Sequence, residues 1–274
     1  MGSYDLHIHT EPDVIPRRLG DLEMARQAAE AGMKGFVVKS HIFPTPGRAA
    51  MLRELYPQLD VLGAVALNCE VGGINPRAAE AAAKMGAKML WFPTMDAKMY
   101  RKERDAPDWE SGLSAVGADG CVTQAARDVL AIAKRYDLVV GTGHLGTEEA
   151  IRVTEAAHAM DFKRICLTHV TLPVCRMTVE QLRQCIAWGA VAEYSYCHVL
   201  SGKCSMELIA EQIKAIGAEH AILSTDLGQK SNPYPVEGLR AFCEKLQEHG
   251  ITEKELDLML KTNPRKLLYE NETI

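Results

Sequence analysis

The feature of this sequence that most limits its fold is an alternation of strand-like and helix-like segments that repeats eight times. Each short apolar run is followed by a segment with helical periodicity, and the units recur about every 30 to 35 residues. At four junctions, in residues 31–34, 85–88, 188–190 and 216–218, a glycine ends the helix just before the next strand. Parallel strands need such helical crossovers, so the pattern predicts an α/β fold with a parallel sheet.

Eight strand–helix units in 274 residues match a (β/α)8 TIM barrel. An open doubly wound sheet is the alternative, but that fold usually carries a glycine-rich loop after its first strand, and none follows here. Residues 95–120 have no clean period and predict a long loop after strand four. Residues 253–260 add an extra C-terminal helix. We expect residues 1–274 to form one domain.

The first strand, residues 5–10, carries two histidines on one face. Side chains alternate along a strand, so His7 and His9 point the same way, about 6–7 Å apart, and can hold one metal ion together. In a barrel the active site lies at the C-terminal ends of the strands, so the polar residues there are the candidates for function. These residues are His7, His9, Lys39, His41, Asn68, Glu70, His144, His169, Tyr194, Tyr196, His198 and Asp226.

The order of these residues resembles that of the amidohydrolase superfamily of metal-dependent hydrolases. The shared features are His7-x-His9 on strand one, His144 and His169 after strands five and six, and Asp226 after strand eight. The resemblance implies that these five residues bind metal. It also implies that Asp226 is catalytic, taking a proton from the attacking water and passing it to the leaving group.

Three further segments extend the resemblance over the whole chain. Residues 262–268 resemble the Asn-Pro-x-x-Leu-Leu segment that often ends such barrels, and residues 38–41 and 68–76 resemble a little-characterised branch of the superfamily. One position departs from the pattern. Strand four ends at residues 91–94 without the bridging Lys or Glu that many two-metal members carry there.

Lys39 or Glu70 could supply the missing bridge. Three roles remain open for Lys39: a carbamylated lysine that binds metal as an anion, a cation that binds a substrate carboxylate, or a support for other ligands. Glu70 could bridge without modification, which resembles the histidinol-phosphatase-like barrels, or it could be a solvated loop residue.

The resemblance implies one or two divalent metal ions, with zinc favoured over manganese. The expected enzyme is a hydrolase that uses metal-activated water to cleave an amide, cyclic amide or lactone-type bond in a small molecule. A metal-dependent decarboxylase or phosphoesterase is the alternative. A non-catalytic binding barrel is disfavoured because the ligand set is intact. Beyond the metal ligands His7, His9, Lys39, His144, His169 and Asp226, we expect substrate contacts from His41, Asn68, Glu70, Arg101, Tyr194 and His198.

Charge and composition limit the classes of partner that the protein is expected to bind. The net charge of −5 gives no reason to expect nucleic acid, and no apolar run reaches the roughly 18 residues of a membrane span. Cations in the long loop, such as Arg101, favour an anionic substrate if the loop covers the site. No basic segment followed by an apolar one begins the chain, and the eight cysteines form no CxxC pair. We therefore expect free thiols and a cytoplasmic protein. We also expect the protein to be a homo-oligomer.

Overall fold

The strand-like segments form one parallel sheet. The computed structural model describes residues 2–269. The strands of this part of the chain are β1 Tyr4–His9, β2 Gly35–Lys39, β3 Asp60–Ala66, β4 Ala87–Trp91, β5 Val139–Gly141, β6 Ile165–Leu167, β7 Val191–Ser195 and β8 Ala221–Ser224. Their bounds agree with the predicted strands to within two residues at most ends, because the apolar runs and the glycine stops mark them in the sequence.

The sheet closes on itself. The strands are hydrogen-bonded in parallel in the order β1 to β8. The first and last strands also meet, because the backbone N–H of Asp226 donates to the carbonyl of His7 at 2.9 Å and that of His9 donates to Leu227 at 2.8 Å. These bonds bring the residues after β8 beside β1. The predicted (β/α)8 barrel is confirmed.

At least one helix separates each pair of successive strands. The helices are α1 Asp21–Glu30, α2 Pro46–Leu55, α3 Pro76–Lys84, α4 Lys98–Glu103, α5 Gln124–Arg135, α6 Thr147–Ala159, α7 Val179–Ala187, α8 Tyr196–Leu200, α9 Met206–Ile216, α10 Pro235–Glu248, α11 Glu253–Asp257 and α12 Asn263–Tyr269. Some begin with a side-chain cap; Thr178, for example, forms a capping box with Gln181 at the start of α7. None of the helices within residues 2–269 is long and apolar enough to cross a membrane.

The apolar residues of the strands form two layers. Residues that point outward, such as Phe36, Val38 and Leu90, pack against the helices in a large core. Residues that point inward, such as Leu6 and Trp91, fill the barrel itself. A barrel interior filled in this way is a packed core and not a pore. The polar inward residues lie towards the C-terminal ends of the strands.

The C-terminal helix closes the opposite end of the barrel. Leu267 and Leu268 of α12 join the apolar cluster of the barrel interior. Asn263 donates to the carbonyls of Ala218 and Ala221 at 2.7 Å each, which ties the start of α12 to the beginning of β8. The predicted helix of residues 253–260 therefore continues, through a π-helical turn at Leu258–Thr262, into α12.

The predicted long loop after strand four is present, but it is not wholly irregular. It contains α4 and a 3-10 turn at Trp109–Ser111. Its return segment is held by Glu149 of α6, whose carboxylate accepts hydrogen bonds from the Ser114 hydroxyl and the Ala115 N–H. The segment thus packs on the barrel over the end of strand four. All eight cysteines are free thiols.

Candidate metal centre

A bulge in β1 aims two histidines into the barrel mouth. Between Asp5 and Ile8 this strand advances three residues while β2 advances two, from Phe36 to Val38. The extra residue changes the inward face from the apolar Leu6 to His7 and His9. Both imidazoles are buried, with ring centroids 5.5 Å apart.

A buried carboxylate ties β1, which carries both histidines, to the segment after β8. Asp5 accepts hydrogen bonds from the N–H of His7 at 3.1 Å, from the N–H of Thr225 at 3.1 Å and from the Thr225 hydroxyl at 2.6 Å. Burial raises the pKa of Asp5 to about 7. This side chain fixes His7 relative to Thr225, the residue before Asp226. The sequence analysis did not predict this role for Asp5.

Two residues of the centre have a left-handed backbone. His169 has φ 60° and Asp226 has φ 52°, a conformation that is uncommon for residues other than glycine. Backbone strain of this kind persists where the surrounding structure enforces it, and it concentrates at functional sites. Gly228 lets the chain after Asp226 pass close to β1, because a Cβ atom there would lie 1.9 Å from the His9 carbonyl oxygen.

Four imidazoles converge on the Asp226 carboxylate. Its Oδ1 lies 3.2 Å from Nε2 of His7 and 3.1 Å from Nε2 of His9. Its Oδ2 lies 3.7 Å from Nε2 of His169 and 3.8 Å from Nε2 of His198. The Asp226 side chain is 13% exposed, so solvent can reach the cluster at this residue. Strand ends that are far apart in sequence therefore supply one set of nitrogen and oxygen donors.

A second carboxylate lies behind two of these rings. Glu193 of β7 is fully buried, with Oε1 at 3.1 Å from Nδ1 of His7 and Oε2 at 3.7 Å from Nδ1 of His169. The Ser195 hydroxyl lies 2.9 Å from the same nitrogen of His169. A carboxylate that holds the rear nitrogen of an imidazole fixes its tautomer and directs the other nitrogen at a metal. Glu193 and Ser195 thus orient His7 and His169 towards Asp226.

Glu193 was not among the residues predicted from the sequence, and Tyr194 was. Alternation along β7 carries the Tyr194 ring outward into the core between strands and helices, whereas Glu193 and Ser195 point inward. The position of Tyr194 therefore does not support the predicted substrate contact. The sequence did contain one signal for Glu193, which is a single acidic residue inside a buried strand. An unpaired buried charge is costly, so such a residue is expected to have a partner.

Changing Glu193 to Gln should weaken metal binding roughly 10- to 100-fold, the usual effect of removing a carboxylate that orients a metal-binding histidine. The substitution keeps the size of the side chain and removes its charge. Metal affinity would be measured by competition with a chromophoric chelator. Glu70→Gln is the matched control, since that side chain is exposed. Equal affinities in the two variants would contradict the role given to Glu193.

Burial keeps His9, His169 and His198 neutral. It lowers the pKa of His9 to about 3 and of His198 to about 4, and holds that of His169 well below the usual value. Burial alone would raise the pKa of Asp226, but the surrounding imidazoles outweigh it and hold that pKa well below its usual range. Neutral imidazole and ionised carboxylate are the forms that bind a metal.

Lys39 lies beside the front nitrogen of His7. Its Nζ is 2.7 Å from Nε2 of His7 and 4.6 Å from the centre of the Trp91 ring, and the side chain is fully buried. Burial lowers its pKa to about 8, against the opposing effects of Asp226 and Glu193. The residue therefore sits within the cluster, as its place on β2 predicts.

His144 lies in the mouth of the barrel but outside the tight cluster. Three groups within residues 2–269 bring ligand atoms close enough to share an ion: His7 with His9 and Asp226, His7 with His169 and Glu193, and His169 with His198 and Asp226. None includes His144. Its ring centroid is 5.4 Å from that of His169 and 4.3 Å from that of Tyr100 in the long loop.

The remaining predicted residues occupy different places. His41 is buried, with its ring stacked on that of His9 at 4.7 Å, and Asn68 is buried behind it. Glu70 lies in the 3-10 turn Cys69–Val71 with its side chain exposed, because the chain turns away from the barrel axis after Asn68. This position does not support Glu70 as a bridging ligand.

Arg101 and the other cations of the long loop are engaged within the loop. The Arg101 guanidinium pairs with Asp108 and lies 3.9 Å from Asp96. Lys98 and Lys102 lie over the ring of Trp109, at 5.6 and 4.8 Å from its centre. These contacts organise the loop and leave the predicted substrate contact of Arg101 without direct support.

Comparison with solved structures identifies the class of fold. The chain is similar to an amidohydrolase from Pseudomonas aeruginosa at 13% identity and a TM-score of 0.66, over 97% of this chain and 95% of that one. It is similar to 2,6-dihydroxybenzoate decarboxylase from Rhizobium at 14% identity and a TM-score of 0.61, over 99% and 100%. An organophosphorus hydrolase from Deinococcus radiodurans matches at 14% identity and a TM-score of 0.58, over 98% and 92%. The predicted resemblance to amidohydrolase-superfamily barrels is confirmed at the level of fold.

The chain belongs to the family DUF6282, whose model matches residues 2–193 and which is described as a family of unknown function. No curated protein matches the sequence.

Proposed function

We propose that this protein is a metal-dependent hydrolase that cleaves an amide, cyclic amide or lactone-type bond in a small anionic molecule. The observation that carries the proposal is the convergence of four imidazole Nε2 atoms on the Asp226 carboxylate, within 3.8 Å, at the C-terminal end of the barrel. Active sites of (β/α)8 enzymes lie at this end.

The donor set fits a divalent ion. Neutral imidazoles and carboxylates are ligands for zinc and manganese, and zinc is the better match for a site rich in histidine. Oε2 of Glu193 is buried without a hydrogen-bond partner in residues 2–269, which leaves charge that a cation would balance. When bound, such an ion supplies a hydroxide nucleophile near neutral pH and polarises the oxygen under attack. His7, His9, His169 and Asp226 would hold it.

Asp226 performs the proton transfers in this proposal. Its carboxylate is ionised, partly exposed and surrounded by the histidines, so it can take a proton from the attacking water and deliver it to the leaving group. His198 lies beside Oδ2 on the short helix α8, and its placement supports a contact with the substrate or with the ion.

The charge of the centre favours an anionic substrate. Lys39, Asp226 and Glu193 lie in it, and Arg17, which lies 3.0 Å from Asp13, is near enough to His9 to affect its pKa. These five side chains total −1, and Asp5, whose pKa is about 7, adds up to one further negative charge when it is ionised. One divalent ion therefore brings the sum to between 0 and +1. A carbamylated Lys39 with two divalent ions gives the same total. Positive potential in a buried mouth attracts anions.

Lys39 is proposed as the carbamate that bridges two ions. A lysine forms a carbamate when its neutral amine bonds to the carbon of carbon dioxide and releases a proton, and a pKa of about 8 makes the neutral amine accessible. Lys39→Ala should then lose one of two ions per chain, and short carboxylic acids with bicarbonate should restore activity. Metal content would be read by elemental analysis. Unchanged content would exclude the carbamate and leave Lys39 as a cation for the substrate.

A decarboxylase or a phosphoesterase is the second candidate. The structural similarity to 2,6-dihydroxybenzoate decarboxylase and to an organophosphorus hydrolase favours testing it. The zinc-loaded chain would be assayed with lactones, cyclic amides, aromatic carboxylic acids and phosphotriesters. We expect ring-opened acids as products, and loss of their formation on chelation. Release of carbon dioxide, or cleavage of the phosphotriesters, would favour the second candidate instead.

A further inference from the structure

The amide of Asn68 has one orientation only. Its Oδ1 accepts from the backbone N–H groups of Thr94 and Asp96 at 2.8 and 3.3 Å. Its Nδ2 donates to the His41 carbonyl and to the Thr94 hydroxyl, both at 2.7 Å. A backbone N–H can only donate, so the oxygen of the amide must face it. All four hydrogen-bonding positions of this side chain are then satisfied.

The orientation of the Asn68 amide determines which atom accepts the hydrogen bond that the Thr94 hydroxyl donates. Thr94 is fully buried, and its hydroxyl oxygen already accepts a hydrogen bond from the Asn68 amide. The other polar atom bonded to that hydroxyl within residues 2–269 is Nδ1 of His41, at 2.9 Å. A buried hydroxyl needs an acceptor for its own proton. Thr94 therefore donates to Nδ1 of His41, and the imidazole carries its proton on Nε2.

The His41 ring lies beside the candidate metal centre, and its Nδ1 is the nitrogen bonded to Thr94. The His41 ring stacks on His9 with centroids 4.7 Å apart, and it meets His144 edge-on at 6.0 Å. No group within residues 2–269 is hydrogen-bonded to its Nε2, and the residue remains 8% exposed. An Nε2 that carries a proton has no lone pair to bind a metal or to take a proton.

We infer that His41 is a hydrogen-bond donor to the substrate, held in the Nε2–H tautomer by Asn68 and Thr94. Its acceptor is an oxygen of the substrate that lies beside His9, in a carbonyl or carboxylate group. The identity of the acceptor rests on the proposed function, whereas the tautomer of His41 does not depend on it. It also gives the end of strand four a role: Thr94 there orients a substrate-binding residue, where related barrels place a metal ligand.

The tautomer can be observed directly. The zinc-loaded full chain, labelled with ¹⁵N-histidine, would be examined in long-range ¹H–¹⁵N spectra, with the His41 signals assigned from their absence in His41→Gln. We expect an unprotonated Nδ1 and a protonated Nε2. Thr94→Val should mix or reverse the tautomers, while Thr94→Ser, which keeps the hydroxyl, should preserve them. A protonated Nδ1 in the unmodified protein would overturn the inference, whatever reaction the protein catalyses.

Benzoate serves as a carboxylate probe of the donor role. Its addition should move the His41 Nε2–H proton signal downfield, and Thr94→Val should weaken this binding by about 10-fold or more, the scale of one hydrogen bond to a charged group. Thr94→Ser should bind as tightly as the unmodified protein. The absence of a shift up to the solubility limit of benzoate would contradict a carboxylate as the acceptor. Equal binding by the valine and serine variants would contradict the positioning role of Thr94.

Discussion

Replacing both His7 and His9 by alanine should abolish divalent-metal binding and leave the barrel folded. The two rings supply the Nε2 atoms nearest to Asp226, at 3.2 and 3.1 Å. Even loss of a supporting residue costs about 10- to 100-fold in metal affinity, so loss of two ligands should exceed about 100-fold. Metal per chain would be measured by elemental analysis after dialysis, and folding by circular dichroism.

The matched control removes two histidines from helices. His158 is exposed on α6, and His249 follows α10 and pairs with Glu207. His158→Ala with His249→Ala should keep full metal content. Full metal occupancy in the His7 and His9 variant would show that the centre is misplaced. If the double variant unfolds even with added metal, and the single variant His9→Ala also unfolds, the result would point to a structural metal.

Changing Asp226 to Asn should lower turnover by at least about 100-fold, the usual contribution of general acid–base catalysis. Asparagine has the same shape and tolerates the left-handed backbone at this position, so the fold should persist. It cannot take the proton from water. Substrate affinity should change much less than the rate constant. The measurement is steady-state kinetics on the hydrolysed substrate, with metal content determined for the same sample.

Asp161→Asn is the control for the backbone effect. Asp161 also has a left-handed backbone, with φ 51°, but its side chain is exposed at the end of α6 and is not part of the candidate metal centre. This variant should have unchanged kinetics. If Asp226→Asn retained its metal and turned over at nearly the normal rate, Asp226 could not be the proton carrier. A variant that lost its metal would instead assign Asp226 mainly to metal binding.

Much of the fold was predictable because the barrel repeats one unit. Glycine stops and apolar runs located the strands, from Tyr4–His9 to Ala221–Ser224. Strand ends in such a barrel meet at one face, which is why His7, His9, His169 and Asp226 could be grouped without coordinates. The prediction needed only local periodicity and one rule of architecture.

Other features depended on contacts between distant segments. Both faces of β7 are buried, so polarity did not distinguish Glu193, which points inward, from Tyr194, which points outward. The exposed position of Glu70 could not be predicted for a related reason, since the direction of the chain after Asn68 is set by packing and not by local sequence. A strand buried on both faces gives no periodic signal for its orientation.

Local pattern and chain order were sufficient to predict the barrel and the chemical kinds of residue at its mouth. Which of those residues share hydrogen bonds depends on how separate strands pack against one another. Asn68, Thr94 and His41 follow three different strands, and the proton position on His41 depends on all three lying within 3 Å of one another. Hydrogen bonds have strict distance and angle requirements, and no sequence spacing specifies those between separate strands.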